Sequence, residues 1–193
     1  SVSNNKHPII GSIAPLEECY NPTLFPNNTI ALSEFQELGL WFSNSNVDIL
    51  LLETMNSIIE TDIAITALKP FNLPIWVSFV LKDYEHLISG DKLIDALILL
   101  KQKRIDTILI NCNSIERTYQ SMHIISENWK DSWGIYPNLG IGEPSIDGRI
   151  TEYSSLNDFS ALIIQAIDIG ANILGACCGS SPKHIKQIKS LLN

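Results

Sequence analysis

Positive charge is scarce in this sequence. Thirteen Lys and Arg stand against 21 Asp and Glu, for a net charge of −8 and an isoelectric point near 4.9. There is no block of like charge and no basic tail. This balance argues against nucleic acid or an anionic membrane as the main partner. Long apolar runs are lacking as well, and none approaches the roughly 20 residues of a membrane-spanning helix. The opening SVSNNKHPII has neither a basic segment leading into an apolar stretch nor a cleavage site. The expectation is a soluble, cytoplasmic chain without a signal peptide. Cysteine is sparse, at four in 193 residues, which is too few for a disulfide scaffold; a reducing compartment keeps such residues as thiols. Low-complexity tracts, linkers and close sequence repeats are absent, so the chain reads as one domain with one sizeable core. The first residue is not Met, which raises the expectation of a piece of a longer protein.

What is present is an alternation. Six short apolar, β-rich runs occur at 7–14, 47–54, 74–80, 106–113, 133–140 and 171–178. Stretches of helical period lie between and after them, at 32–46, 56–69, 93–102, 115–128, 156–170 and 181–193. In the first, Leu32, Phe35, Leu38 and Trp41 or Phe42 share a face; in the second, Ile58, Ile59, Ile63 and Leu68 do. Ser33 with Glu37, Asn56 with Glu60, and Ser181 before Pro182 mark helix starts. Residues 18–31 form the longest expected loop. Strand alternating with helix specifies an α/β fold with a parallel sheet. A spacing of about 27 to 40 residues between strands suits a (β/α)8 barrel or an open doubly wound sheet. In both, function gathers at the C-terminal ends of the strands. The polar and reactive residues stand at those ends: Gly11-Ser12, Glu53-Thr54, Ser78, Asn111-Cys112, Tyr136-Pro137-Asn138 and Cys177-Cys178.

Cys112, Cys177 and Cys178 would meet at the mouth of a closed barrel. Three soft ligands and an open position describe a catalytic zinc site. Adjacent cysteines share a metal only where the strand stops alternating, and Gly175 and Gly179 supply such a break. Buried core thiols and a vicinal Cys177–Cys178 disulfide are the other readings of the same residues. Cys19, in a polar loop, reads as a spare thiol, and His184 as a helix-packing residue.

Several segments resemble one family in order. GACCGSSPKHI at 175–185 resembles the GGCCG(S/T)xPxHI signature of the homocysteine S-methyltransferases. GSIAP at 11–15, ECYNP at 18–22, VDILLLETMNS at 47–57, PIWVSF at 74–79, INC at 110–112 and YPN at 136–138 resemble its other segments. The resemblance implies a (β/α)8 TIM barrel, here incomplete with about six βα units over residues 1–193. It implies Zn2+ held by Cys112, Cys177 and Cys178, and Glu53 on the amino group of homocysteine. Ser78, Asn111, Tyr136 and Asn138 are the further substrate-binding candidates. The implied reaction moves a methyl group from a donor to the thiol of homocysteine, giving methionine. Family donors include S-methylmethionine, S-adenosylmethionine, betaine, and methyltetrahydrofolate acting through a cobalamin domain. The chain shows no cobalamin or folate domain, which favours a free sulfonium.

Two departures from the family pattern stand out. Ala176 replaces a glycine, and the family's opening DG(G/A) strand and TN(S/T)Y segment have no counterpart. The expectation is a barrel short of its first two strands, with open edges. Such edges favour a homo-oligomer or association with the missing N-terminal segment. A truncated, non-catalytic zinc-binding or scaffold paralogue is the runner-up, and an unrelated α/β binding protein with core thiols is a third reading.

Overall fold

The computed structural model describes residues 7–142 and 150–192. Its main sheet contains six strands: β1 (Ile10–Ile13), β2 (Ile49–Met55), β3 (Ile75–Phe79), β4 (Thr107–Asn111), β5 (Ser132–Tyr136) and, after a short pair, β8 (Ile173–Leu174). Every neighbouring pair is parallel and the order is β1-β2-β3-β4-β5-β8. This order decides between the two sheet architectures left open by the alternation of strand and helix, and bears out the barrel that the family resemblance implies. A doubly wound sheet reverses its strand order at a switch point, whereas this one advances in a single direction. The result is a curled, incomplete TIM barrel whose edges are β1 and β8.

Among the described residues six α-helices follow or separate the strands: α1 (Asn28–Ser43), α2 (Ile58–Leu68), α3 (Leu93–Gln102), α4 (Ile115–Asn128), α5 (Leu156–Asp168) and α6 (Pro182–Leu191). All six correspond to the expected stretches; position 193 of the last one lies outside the described residues. No helix among the described residues is long and apolar enough to cross a membrane. β6 (Gly140–Ile141) and β7 (Glu152–Tyr153) form a small antiparallel pair beside the sheet, which the sequence pattern did not indicate.

Register sorts the strand residues into two faces. Leu52, Val77, Ile108 and Trp133 lie side by side in one row and join the main core with helix residues such as Ile65, Leu97, Ile125 and Ile163. Burying each such side chain contributes about 1.5–3 kcal/mol. The opposite face carries the row Ser78, Leu109, Gly134 and Ile173, with Asn111 beside Tyr136 one step further. Polar side chains therefore project into the barrel at its C-terminal end, while the helix-facing side stays apolar.

Three local expectations are corrected. α1 begins five residues before Ser33, capped by Asn27, whose side chain accepts from Thr29 N and Ile30 N at 3.1 Å each. The expected 18–31 loop therefore also holds a 3-10 turn at Pro22–Leu24 and the first turn of α1. α2 is capped by Ser57, not Asn56. Its deepest face is Thr61, Ala64, Ile65 and Leu68, and Ile59 is 51% exposed, because the helix packs against α1 and β2 through that face and leaves the opposite side to solvent. On α1 the expected face holds with Phe42 in place of Trp41: Leu32, Leu38 and Phe42 pack around the buried Phe35, and Trp41 is turned out, at 59% exposure.

Candidate metal centre

Cys112 follows the last residue of β4. Its backbone is left-handed, at φ 56°, and its N–H donates to Tyr136 O at 3.2 Å. Beyond β8 the chain stays laddered to β5 for a few residues: Gly175 N–H donates to Ile135 O and Cys177 N–H to Pro137 O, both at 2.9 Å. It then turns. Ser180 N–H reaches back to Cys177 O at 3.2 Å, and Gly179 takes φ 75°, a conformation that glycine adopts without cost. The turn ends strand alternation, so both neighbouring cysteines face Cys112. The sulfurs lie 3.3 Å apart for Cys177 and Cys112, 3.5 Å for Cys112 and Cys178, and 3.8 Å for Cys177 and Cys178. Among the described residues this is the group of His, Cys, Asp or Glu side chains that could hold a metal ion. Three thiolates at 2.3 Å from a tetrahedral zinc would stand about 3.8 Å apart, so the cluster fits zinc with an opening of a few tenths of an ångström. All four cysteines are free, and Cys178 is solvent-exposed.

The cluster is electrostatically uneven. A hydrogen bond from Cys177 is the chief reason that the Cys112 thiol is pulled down to about 6; burial opposes this, and hydrogen bonds from Tyr20 and Cys178 reinforce it. Cys177 is pushed up because its proton is engaged by Cys112, and burial adds to that. Cys178 is pushed up by burial and by the charge of Cys112. These opposed shifts favour the thiolate at Cys112 over its two neighbours. Iodoacetamide is accordingly expected to modify Cys112 first, with a rate that climbs as pH is raised through about 6. A rate that climbs only near the ordinary thiol value of about 8.5 would contradict this.

The other candidates lie on the same rim. A bulge interrupts the register of β2 between Leu52 and Met55, and Thr54 within it is left-handed, at φ 61°. Bulges re-aim side chains, and this one sets Glu53 where Ser12 Oγ donates to its Oε2 at 2.5 Å. Asn111 is buried and braces three strands. Its Oδ1 accepts from Thr54 N at 3.1 Å and from Ser78 Oγ at 2.6 Å, and its Nδ2 donates to Thr54 Oγ1 at 2.8 Å. Ser78 is fully buried within that network. The Tyr136 phenol is pushed up by burial first and then by the charge of Glu53, with Cys177 also contributing. Its buried hydroxyl makes no hydrogen bond among the described residues. Asn138 holds the loop after β5, where its Oδ1 accepts from Gly140 N at 2.8 Å.

Sequence reasoning missed Ser12 as the partner of Glu53, Tyr20 as a partner of Cys112, and Asn113. Asn113 Oδ1 accepts from Leu81 N, and its backbone oxygen accepts from Asn138 N, both at 2.8 Å. The following strand-end polar residue was the available signal for Asn113. His184 caps and packs: its Nδ1 accepts from Ser181 N at 3.0 Å, and its ring meets Phe159 edge-on at 5.2 Å.

The sequence model of the family described as Homocysteine S-methyltransferase matches residues 2–192. The chain belongs to that family. Homocysteine S-methyltransferase 3 of Zea mays is 30% identical over 154 residues, which cover 76% of this chain and 45% of that protein. Selenocysteine methyltransferase of Astragalus bisulcatus is 24% identical over 156 residues, covering 78% and 46%. The chain thus spans about half the length of these two relatives. Among solved structures, the metallated form of the homocysteine methyltransferase MmuM from Escherichia coli superposes with a TM-score of 0.76 at 22% identity, over 95% of this chain and 60% of that one. That likeness establishes the barrel fold.

Proposed function

We propose that this homocysteine S-methyltransferase chain uses zinc at Cys112, Cys177 and Cys178 to methylate the thiol of homocysteine, with a sulfonium such as S-methylmethionine as donor and methionine as product. The observation that carries the reading is the three-sulfur cluster sharing one rim with Glu53. Zinc held there would supply the acidity that keeps an incoming thiol ionised at neutral pH. Glu53, fixed by Ser12, accepts a charge-assisted hydrogen bond from the substrate ammonium. The buried Tyr136 hydroxyl, in the neighbourhood of Glu53, would donate to the substrate carboxylate. Ser78, Asn111 and Asn138 support these groups from behind by fixing the ends of β2, β3 and β5. The homocysteine sulfur forms a bond to the methyl carbon as the carbon–sulfonium bond breaks. The bonding pair stays on the donor sulfur, which becomes a neutral thioether, and the thiol proton goes to solvent.

The test is formation of trideuteromethyl-methionine from homocysteine and S-methyl-labelled donors, followed by mass spectrometry. Labelled product from the sulfonium, and a KM for homocysteine raised about tenfold or more by Glu53→Gln, are expected from the loss of one hydrogen bond to a charged group. A folded, zinc-loaded chain that forms no labelled methionine would contradict the proposal and leave a non-catalytic zinc-binding role.

A further inference from the structure

Two buried polar side chains at the start of α2 play no part in the site described above. Asn56 is 1% exposed and Glu60 2%. A carboxylate in the first turn of a helix is ordinarily explained by the helix terminus. Here that work is done by others: Ser57 Oγ accepts from Glu60 N at 3.4 Å, and Asp91 Oδ2 from Ile58 N at 2.8 Å. Glu60 Oε1 accepts instead from Leu16 N at 2.9 Å, across 44 positions of sequence. Asn56 Nδ2 donates to Cys19 O at 3.0 Å. The two side chains thus grip the loop between β1 and α1 at backbone points three residues apart. The next residue after the second point is Tyr20, whose phenol neighbours Cys112.

We infer that Asn56 and Glu60 are positioning residues that clamp the loop after β1 over the three-cysteine cluster, holding Tyr20 against it and shielding whatever metal the cluster binds. The burial of both groups fits this role. Burial pushes the Glu60 carboxyl up, and the hydrogen bond from Leu16 is what opposes that rise. A buried acid kept at such a cost needs the partner that it has. The clamp reaches the site through backbone atoms, so it fixes the path of the loop without specifying its side chains.

The inference is tested by hydrogen exchange and by metal release, neither of which requires catalysis. Asn56→Ala, Glu60→Ala and Glu60→Gln are compared with the parent chain, with zinc itself as the bound group and EDTA as the acceptor. In both alanine variants, amides of residues 14–24 are expected to exchange about tenfold faster, the factor that one ordinary buried hydrogen bond gives a local opening equilibrium. Zinc loss to EDTA should accelerate by a similar factor. Amides of β3 and α3 should keep their parental rates. Glu60→Gln keeps an acceptor oxygen for Leu16 N and should restore both rates. Unchanged exchange in the loop would overturn the inference. So would faster loop exchange with unchanged zinc release, or faster exchange spread through β3 and α3, which signals general destabilisation. A parent chain that takes up no zinc would count against the proposed metal, with the exchange measurements and the Gln variant still deciding the clamp.

Discussion

Cys112→Ser is expected to weaken zinc binding by more than about a hundredfold, the upper range for loss of an outer-shell partner, because it removes a direct ligand. Cys112 makes the two shortest sulfur contacts of the cluster, at 3.3 and 3.5 Å. Serine is close in size, but its oxygen is a harder and far less acidic ligand than a thiol. The left-handed backbone at φ 56° strains both residues alike, so the fold should survive and the metal-free melting temperature should hardly move. Competition against a chromophoric chelator measures the affinity. Values within tenfold of the parent would show that Cys112 is not a ligand. The same titration carries a pH signature. Cys177 and Cys178 sit above the ordinary thiol value and must give up protons to bind metal. Affinity therefore falls as pH falls. It steepens by one further proton per metal once pH drops through about 6, where Cys112 also becomes a thiol.

Gly134→Ala should be the most damaging single methyl in the sheet. β8 is an edge strand joined to β5 through only two register partners, Gly134 with Ile173 and Ile135 with Leu174. A Cβ on residue 134 would stand 2.0 Å from Ile173 O and 2.7 Å from Ile173 C, both backbone atoms. Flexible side chains can step aside from such a clash, but a paired backbone moves only by separating the strands. Overpacking of this kind costs about 3 kcal/mol, and here the displaced strand leads directly to Cys177 and Cys178. The expected result is a lower melting temperature together with loss of stoichiometric zinc. A variant that loses stability but keeps zinc would show that the turn at 175–179 is held by the rest of its contacts. That outcome would break the link drawn here between sheet edge and metal site.

The strands were readable because β2, β3 and β4 are nearly continuous apolar runs, as strands buried on both faces require. Their direction of winding was not, since alternation of strand and helix is common to barrels and doubly wound sheets. The family resemblance pointed to the barrel, and the observed order bears it out. Helix starts were misread where a cap lay inside a polar stretch: Asn27 is one of several polar residues before α1, and nothing local distinguishes it from Asn28. The cysteines illustrate the same division. Their type suggested a metal, and the glycines at 175 and 179 suggested a break in the strand. What brings Cys112 to Cys177, 65 positions away, is the curl of the sheet and a left-handed residue that is not glycine. Neither leaves a mark in local pattern. Asn111 shows the opposite limit. A polar residue at a strand end reads as a binding group, yet most of its hydrogen-bonding capacity is spent on Thr54 and Ser78.

The central claim is that three cysteines leave one position open for the substrate thiol. Zinc X-ray absorption on the loaded chain, with and without homocysteine, tests it most directly. The prediction is three sulfur neighbours at about 2.3 Å and one lighter atom, changing to four sulfurs when homocysteine is added. A sulfur count other than three in the free chain, or a count that homocysteine leaves unchanged, would contradict the account.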